Sequence, residues 1–162
     1  AFIYNEVYDQ TNTSKSLLKA LRASQESGVL WLNGDVVFDP RVLERVQSRM
    51  REEKSFVCVN TSATSDEEIK YTVDSNGNIN SLSKQVVNAL GEAVGINFIG
   101  KGEKAAVINH LEECADNDYF ERGLELAIEK AGIKLEPVDI SDLFAVEVDF
   151  QADLERANKG LV

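Results

Sequence analysis

Val29-Leu30-Trp31-Leu32-Asn33-Gly34-Asp35-Val36-Val37-Phe38-Asp39-Pro40 is the stretch that decides the fold class. Its first four residues are apolar with no helical stripe, the pattern of a strand buried on both faces, and such strands belong to the parallel sheets of α/β proteins. The run stops at Asn33-Gly34-Asp35, where glycine permits a tight turn and lets another group approach the backbone. The Asp35 carboxylate is thereby expected at the carboxyl edge of the sheet, where open α/β folds bind ligands. A plain polar turn would use the same three residues, because such short loop motifs are common. Beyond the turn, Asp39-Pro40 reads as a helix start: Asp39 accepts from free backbone N–H groups, and Pro40 fits the first helical position.

Working outward, strands and helices alternate. Phe2-Ile3-Tyr4 reads as a short strand, and the polar Asn12 to Ser16 segment leads into a helix with Leu17, Leu18 and Leu21 on one face. Val42, Leu43, Val46 and Met50 stripe a second helix ending near Glu53, followed by a buried strand over 55–59. Residues 69–73 and 79–83 alternate around Asn76-Gly77, a hairpin signature. The glycine-bounded run 91–100 reads as a strand with a bulge or a close backbone approach at Gly95. Two amphipathic helices follow, carrying Val107 and Leu111, then Phe120 and Leu124, with Gly132 as the stop of the second. Strands are expected over 134–138 and 144–148, and Phe150, Leu154 and Ala157 mark a last helix face. With no repeat, low-complexity run or linker, residues 1–162 read as a single domain.

Composition narrows the function. The 43% hydrophobic and 28% charged content is that of an ordinary globular chain. A formal charge of −11 repels phosphate backbones and anionic lipid, so neither nucleic acid nor a membrane surface is an expected partner. Without a membrane-length apolar run or signal-peptide pattern, the expected location is cytoplasmic. Cys58 and Cys114 lack metal-ligand spacing and read as buried thiols. His110, the single histidine, falls mid-helix and reads as an ordinary helix residue.

Asp149 ends a strand and precedes a helix, repeating the setting of Asp35 on a distant piece of chain. Two carboxylates brought together repel each other, and a divalent cation removes the penalty. Magnesium suits such a site, since it takes one or two protein carboxylates and completes its shell with water and phosphate. Asp149 equally suits the N-cap of the last helix. Strand alternation puts Glu147 on the same face and leaves it open as the second ligand.

Taken together, Leu32-Asn33-Gly34-Asp35-Val36, the Asn12 to Ser16 segment, Gly91-Glu92 to Gly95-Ile96, Tyr119-Phe120-Glu121 and Val146-Glu147-Val148-Asp149-Phe150 with Asp153-Leu154 resemble the nucleotidyltransferases that make CDP-choline and nucleotide sugars. The resemblance is closest to the phosphocholine cytidylyltransferase-like and sugar-phosphate nucleotidyltransferase branch. It implies a three-layer α/β/α fold with a mixed, mainly parallel sheet, and magnesium-dependent transfer from a nucleoside triphosphate, CTP favoured, to a small phosphomonoester such as phosphocholine or a sugar 1-phosphate. By the same resemblance Asp35 and Asp149 would hold the metal and Lys84 would contact phosphate. Asn12, Ser16, Asn33 and Gly34 would line the nucleotide side. Glu92, Gly95, Tyr119 and Glu121 would bind the acceptor, with Phe120, Tyr119 and Glu121 available to a quaternary ammonium head.

Family members begin with a strand and a glycine-rich loop that grips the triphosphate, and no such segment precedes Phe2. The expectation is therefore a C-terminal part of a nucleotidyltransferase domain, with an incomplete nucleotide-diphospho-sugar transferase fold, little activity of its own, and an exposed sheet edge open to self-association. Two other readings stand beside it: a non-catalytic α/β binding or assembly module, and a metal-dependent glycosyltransferase, which also holds nucleotide-sugar phosphate with an acid at a strand end.

Overall fold

The computed structural model describes residues 2–62, 64 and 68–160. In chain order the elements are α1 (Thr13–Ala23), β1 (Val29–Leu32), β2 (Val36–Phe38), α2 (Arg41–Arg51), β3 (Phe56–Asn60), β4 (Lys70–Val73), β5 (Ile79–Ser83), β6 (Gly91–Ile99), α3 (Lys101–Glu113), α4 (Phe120–Ala131), β7 (Glu136–Asp139), β8 (Ala145–Glu147) and α5 (Gln151–Gly160). A main sheet runs in the order β5-β4-β6-β3-β7, with β1 paired to β6, and β2 and β8 form a separate two-stranded sheet.

Helices cover both faces of the main sheet. On one, Leu17, Leu18 and Leu21 of α1, Val107 and Leu111 of α3, and Leu124 of α4 pack on Val57 and Val59 of β3. On the other, Val42 and Val46 of α2 pack against Phe56, Phe98 and Ile96. Phe56 and Phe98 stack with ring centroids 5.5 Å apart. The three layers arise because β3 is buried on both faces, so its alternate residues feed two separate cores.

Two expectations are corrected. The sheet is mixed but not mainly parallel: among the described strands only β3 and β7 run parallel, while β1, β3 and β4 all pair antiparallel with β6. The apolar Val29–Leu32 run is accordingly an antiparallel strand, part-buried with Leu32 exposed, and β6 is its only partner among the described strands. Apolarity reports burial and carries no information on strand direction. Phe2-Ile3-Tyr4 forms no strand, and all three side chains are exposed.

The turn chemistry holds. Asp74 Oδ1 accepts from the N–H groups of Asn76 and Asn78 at 2.8 and 3.0 Å, and Gly77 sits at φ +82°, closing the β4–β5 hairpin. Asp39 Oδ1 accepts the Arg41 N–H at 2.9 Å just ahead of α2, whose N-cap position is Pro40, and the Arg41 guanidinium holds the Asp39 carboxyl below the usual range. Cys58 and Cys114 are free and buried, and burial pushes the Cys58 thiol up to about 12. His110 lies in α3 with Nδ1 3.1 Å from Glu113 Oε1.

Candidate functional site

The β1 strand ends where its neighbour bends. Opposite β3, the register of β6 slips between Val57 and Val59, whose partners are Asn97 and Ala93. Gly95 occupies the slip at φ +68°, a conformation open to glycine. The Gly95 carbonyl accepts the Asn33 N–H at 2.8 Å, and a Cβ on Gly95 would stand 2.8 Å from Val36 Cγ2 and 2.9 Å from Asn33 Cγ. The close approach expected at Gly34 is therefore made at Gly95. A Cβ on Gly34 would meet nothing within 4 Å, and its φ is not left-handed.

Past this turn the chain enters β2, which pairs antiparallel with β8 in the register Val36 to Glu147 and Phe38 to Ala145. The Val148 N–H donates to the Asp35 carbonyl at 3.0 Å, extending the ladder by one step. Asp35 and Asp149 thus reach one place from pieces of chain more than a hundred residues apart, and both line a cleft of about 710 Å3. Asn33 Nδ2 donates to Glu147 Oε1 at 3.2 Å, tying the turn to the end of β8.

The cleft is strongly acidic. Asp35, Glu68, Glu121, Glu147 and Asp149 line it, against Lys84 as the one cation among the described lining residues. Burial, followed by the charges of Glu68 and Asp35, pushes the Glu147 carboxyl up to about 7, and Asp149 adds to the shift. Burial likewise pushes Glu121 up to about 7, with Glu147 raising it further and Lys84 opposing. A phosphate entering such a site meets repulsion unless a cation accompanies it. The available donors are carboxylate oxygens, the hard ligands that magnesium prefers. Among the described residues no group of three or more His, Cys, Asp or Glu is arranged to hold a metal ion. Such a cage is not required where substrate phosphate and water complete the shell.

Of the residues expected from the sequence, Asp35, Asp149, Lys84, Ser16, Asn33, Gly34, Gly95, Tyr119 and Glu121 all line the cleft. Lys84 Nζ lies 5.5 Å from the centroid of the Tyr119 ring. Asn12 and Glu92 stand outside the lining. Asn12 caps α1, accepting from the Thr13 N–H at 2.7 Å, while its amide donates to the Asn117 carbonyl at 3.3 Å. Glu92 lies in β6 opposite Asn60 and Lys70. Phe120 lines the cleft but is buried in the core between the main sheet and α1, α3 and α4.

The lining residues that were not anticipated include Glu68, Trp31 and Asn97. Asn97 had a readable sign, a lone amide inside an apolar strand. Trp31 and Glu68 had none, since the first resembles a core residue and the second a solvated loop acid.

Comparison with known proteins places these features in a family of folds. The chain superposes on the inositol-1-phosphate CTP transferase from T. maritima with a TM-score of 0.75 and 16% identity, covering 92% of this chain and 61% of that one. For the CTP:phosphocholine cytidylyltransferase from Streptococcus pneumoniae the TM-score is 0.71 and the identity 13%, over 98% of this chain and 67% of the other. HddC from Yersinia pseudotuberculosis gives a TM-score of 0.65 at 13% identity, over 96% and 64%. The chain spans about three fifths of the length of the first of these structures. It shares their nucleotide-diphospho-sugar transferase fold, as the resemblance implied. No curated protein matches the sequence. Residues 6–120 match the model of the family described as Glycosyl transferase family 2, a match over more than half the chain, and the chain belongs to that family.

Proposed function

We propose that this chain carries the metal-binding and acceptor side of a magnesium-dependent nucleotidyltransferase, moving a nucleotidyl group from a nucleoside triphosphate, CTP favoured, to a small phosphomonoester. The observation that carries the reading is the β2–β8 pairing, which sets Asp35 and Asp149 at adjoining positions of one cleft with Lys84 in its wall. The shared fold with a CTP transferase and a cytidylyltransferase supports it.

Asp35 and Asp149 are the residues that would hold magnesium, with Glu147 beside them. When bound, the ion would supply neutralisation of the phosphate charge. Lys84 presents its ammonium group to phosphate, and Asn33 steadies the Glu147 carboxyl through its amide. Gly34 leaves the backbone of the turn open on the cleft side. An acceptor phosphate oxygen attacks the α-phosphorus as the bond to the bridging oxygen breaks, and pyrophosphate leaves with the electron pair. Positioning and charge neutralisation carry such a reaction, so no histidine is needed.

The test is pyrophosphate release, with magnesium, CTP and sugar phosphates or phosphocholine, by the whole nucleotidyltransferase domain of which this chain is proposed to be the metal-binding and acceptor part. The chain alone is expected to show little activity. Asp35→Ala is expected to lower turnover by at least about 100-fold, close to 2.7 kcal/mol of barrier, with little change in melting temperature because Asp35 is exposed. Retention of the full rate would sink the assignment.

The family match over residues 6–120 favours a second reading, glycosyl transfer from a nucleotide sugar by the same acids. Sugar transfer or hydrolysis from a nucleotide sugar, with no pyrophosphate released from a triphosphate, would select it. Nucleotide binding with neither turnover would select a non-catalytic module.

A further inference from the structure

Ahead of α1 one side chain is buried in a run of exposed ones. Asn5 is 8% exposed, while residues 2–4 and 6–10 face solvent. Its amide is fully used: Nδ2 donates to Thr11 Oγ1 and to Ser16 Oγ, both at 3.0 Å, and Oδ1 accepts the Val7 N–H at 3.4 Å. That last bond settles which way round the amide lies, since a nitrogen there would set donor against donor. Thr11 passes its own hydroxyl hydrogen to the Val7 carbonyl at 2.9 Å, so the Thr11 branch is closed within the segment. The Ser16 branch is open.

Ser16 lies early in α1 and lines the cleft beside Thr13, Leu17 and Ala20. Its oxygen accepts from Asn5, and none of the described residues accepts its hydrogen. A hydroxyl carries one hydrogen and two lone pairs, so an amide donor fixed against one side turns the O–H away from it. Left alone, a helical serine returns that hydrogen to the carbonyl four residues earlier, which is Asn12 here. The Asn5 amide competes with that arrangement and leaves the O–H for the cleft. Leu17 and Leu18, buried directly after it, fix the helix face that carries Ser16.

We infer that Asn5 is a positioning residue: it holds the Ser16 hydroxyl as a donor to an acceptor atom of the nucleotide in the cleft. The inference rests on the nucleotidyltransferase reading for the identity of that ligand. Asn5→Asp separates this role from packing. The carboxylate keeps the shape of the side chain but carries only acceptors, so the Ser16 O–H turns back to it and leaves the cleft.

The test is calorimetric titration of CTP, with magnesium, into the whole domain carrying Asn5→Asp, Ser16→Ala or both, with melting temperature as the check on folding. Each single substitution is expected to weaken CTP binding about 5-fold, the size of one hydrogen bond. The double is expected to lose no more than about 5-fold, because Asn5→Asp has nothing to turn once the hydroxyl is gone. A substitution that only loosened the segment would lower the melting temperature and multiply with Ser16→Ala to about 25-fold. Asn5→Ala, which buries no charge, serves should Asn5→Asp fail to fold, with about a threefold loss expected alone and none in the Ser16→Ala background. Multiplied losses, or unchanged affinity in a folded Asn5 variant, would overturn the inference. UDP-glucose titrated into the same proteins separates it from the reaction: losses that do not multiply there, without CTP binding, keep the role of Asn5 and remove the nucleotidyltransferase reading. Binding of neither nucleotide by the unsubstituted domain overturns both.

Discussion

The Gly100 end of β6 and its irregularity at Gly95 handle buried polar groups in opposite ways. At the Gly100 end the Gly100 N–H donates to Ser55 Oγ at 2.9 Å, Ser55 Oγ donates to Glu103, and Glu103 Oε1 accepts the Lys134 N–H at 2.8 Å. Nearby, the buried Lys104 ammonium is held by Ser24 Oγ at 3.2 Å and by the Ser27 carbonyl at 3.0 Å. Around Gly95, by contrast, Trp31, Asn97 and Glu121 keep unpartnered atoms, and Glu147 sits among carboxylates that push its proton affinity up. Polar groups with a structural task are closed by the protein, because an orphan costs as much as a lost bond. Those facing the cleft are left for something that enters it.

The contrast can be broken most sharply at the glycines. Gly95→Ala combines a left-handed backbone with contacts under 3 Å to Val36 and Asn33, and is expected to cost about 2–4 kcal/mol in urea unfolding. Gly34→Ala, facing open space, is expected to change stability by less than about 0.5 kcal/mol, so equal losses from the two would mean the turn is not built as described. At the closed end, Ser55→Ala strips the buried Gly100 N–H of its acceptor and should cost about 1–3 kcal/mol, while leaving nucleotide affinity unchanged. An affinity change would show that the two regions are coupled.

The acidic wall of the cleft also predicts a pH dependence. Glu121 and Glu147 titrate above their ordinary value of 4.5 when folded. Their contribution to stability is complete below that value and is lost as pH rises through about 7. Carboxyls held low by ion pairs, such as Asp142 at about 2 beside Arg45, act only in acid and leave this window untouched. The melting temperature should therefore fall between pH 5 and pH 8, and the fall should be shallower in Glu121→Gln. A fall of equal size in that variant would remove Glu121 as its source.

Much of this architecture was legible in the chain. Apolar spacing located α1, α2, α3 and α4, the Asn76-Gly77 pair marked the hairpin, and Gly95 marked the irregularity in β6. The strand direction was not legible, since a part-buried antiparallel strand and a parallel one share the same apolar run. Phe2-Ile3-Tyr4 shows the related failure, three apolar residues that pair with no strand among the described residues. Asn12 illustrates competition between two roles, for a residue suited to line a base pocket is equally suited to cap a helix, and here it caps.

The sequence by itself determined that Asp35 stands at the end of an apolar strand and that Asp149 lies between a strand and a helix, because turn chemistry and periodicity act over a few residues. Only the tertiary structure decided that these two meet, that Glu147 and Glu68 join them, and that Trp31 and Asn97 face one cleft with Glu121. Those juxtapositions depend on antiparallel register between β2 and β8 and between β1 and β6. Register across such separations is set by packing of the whole sheet between its helices, since a one-residue slip turns every side chain to the other face.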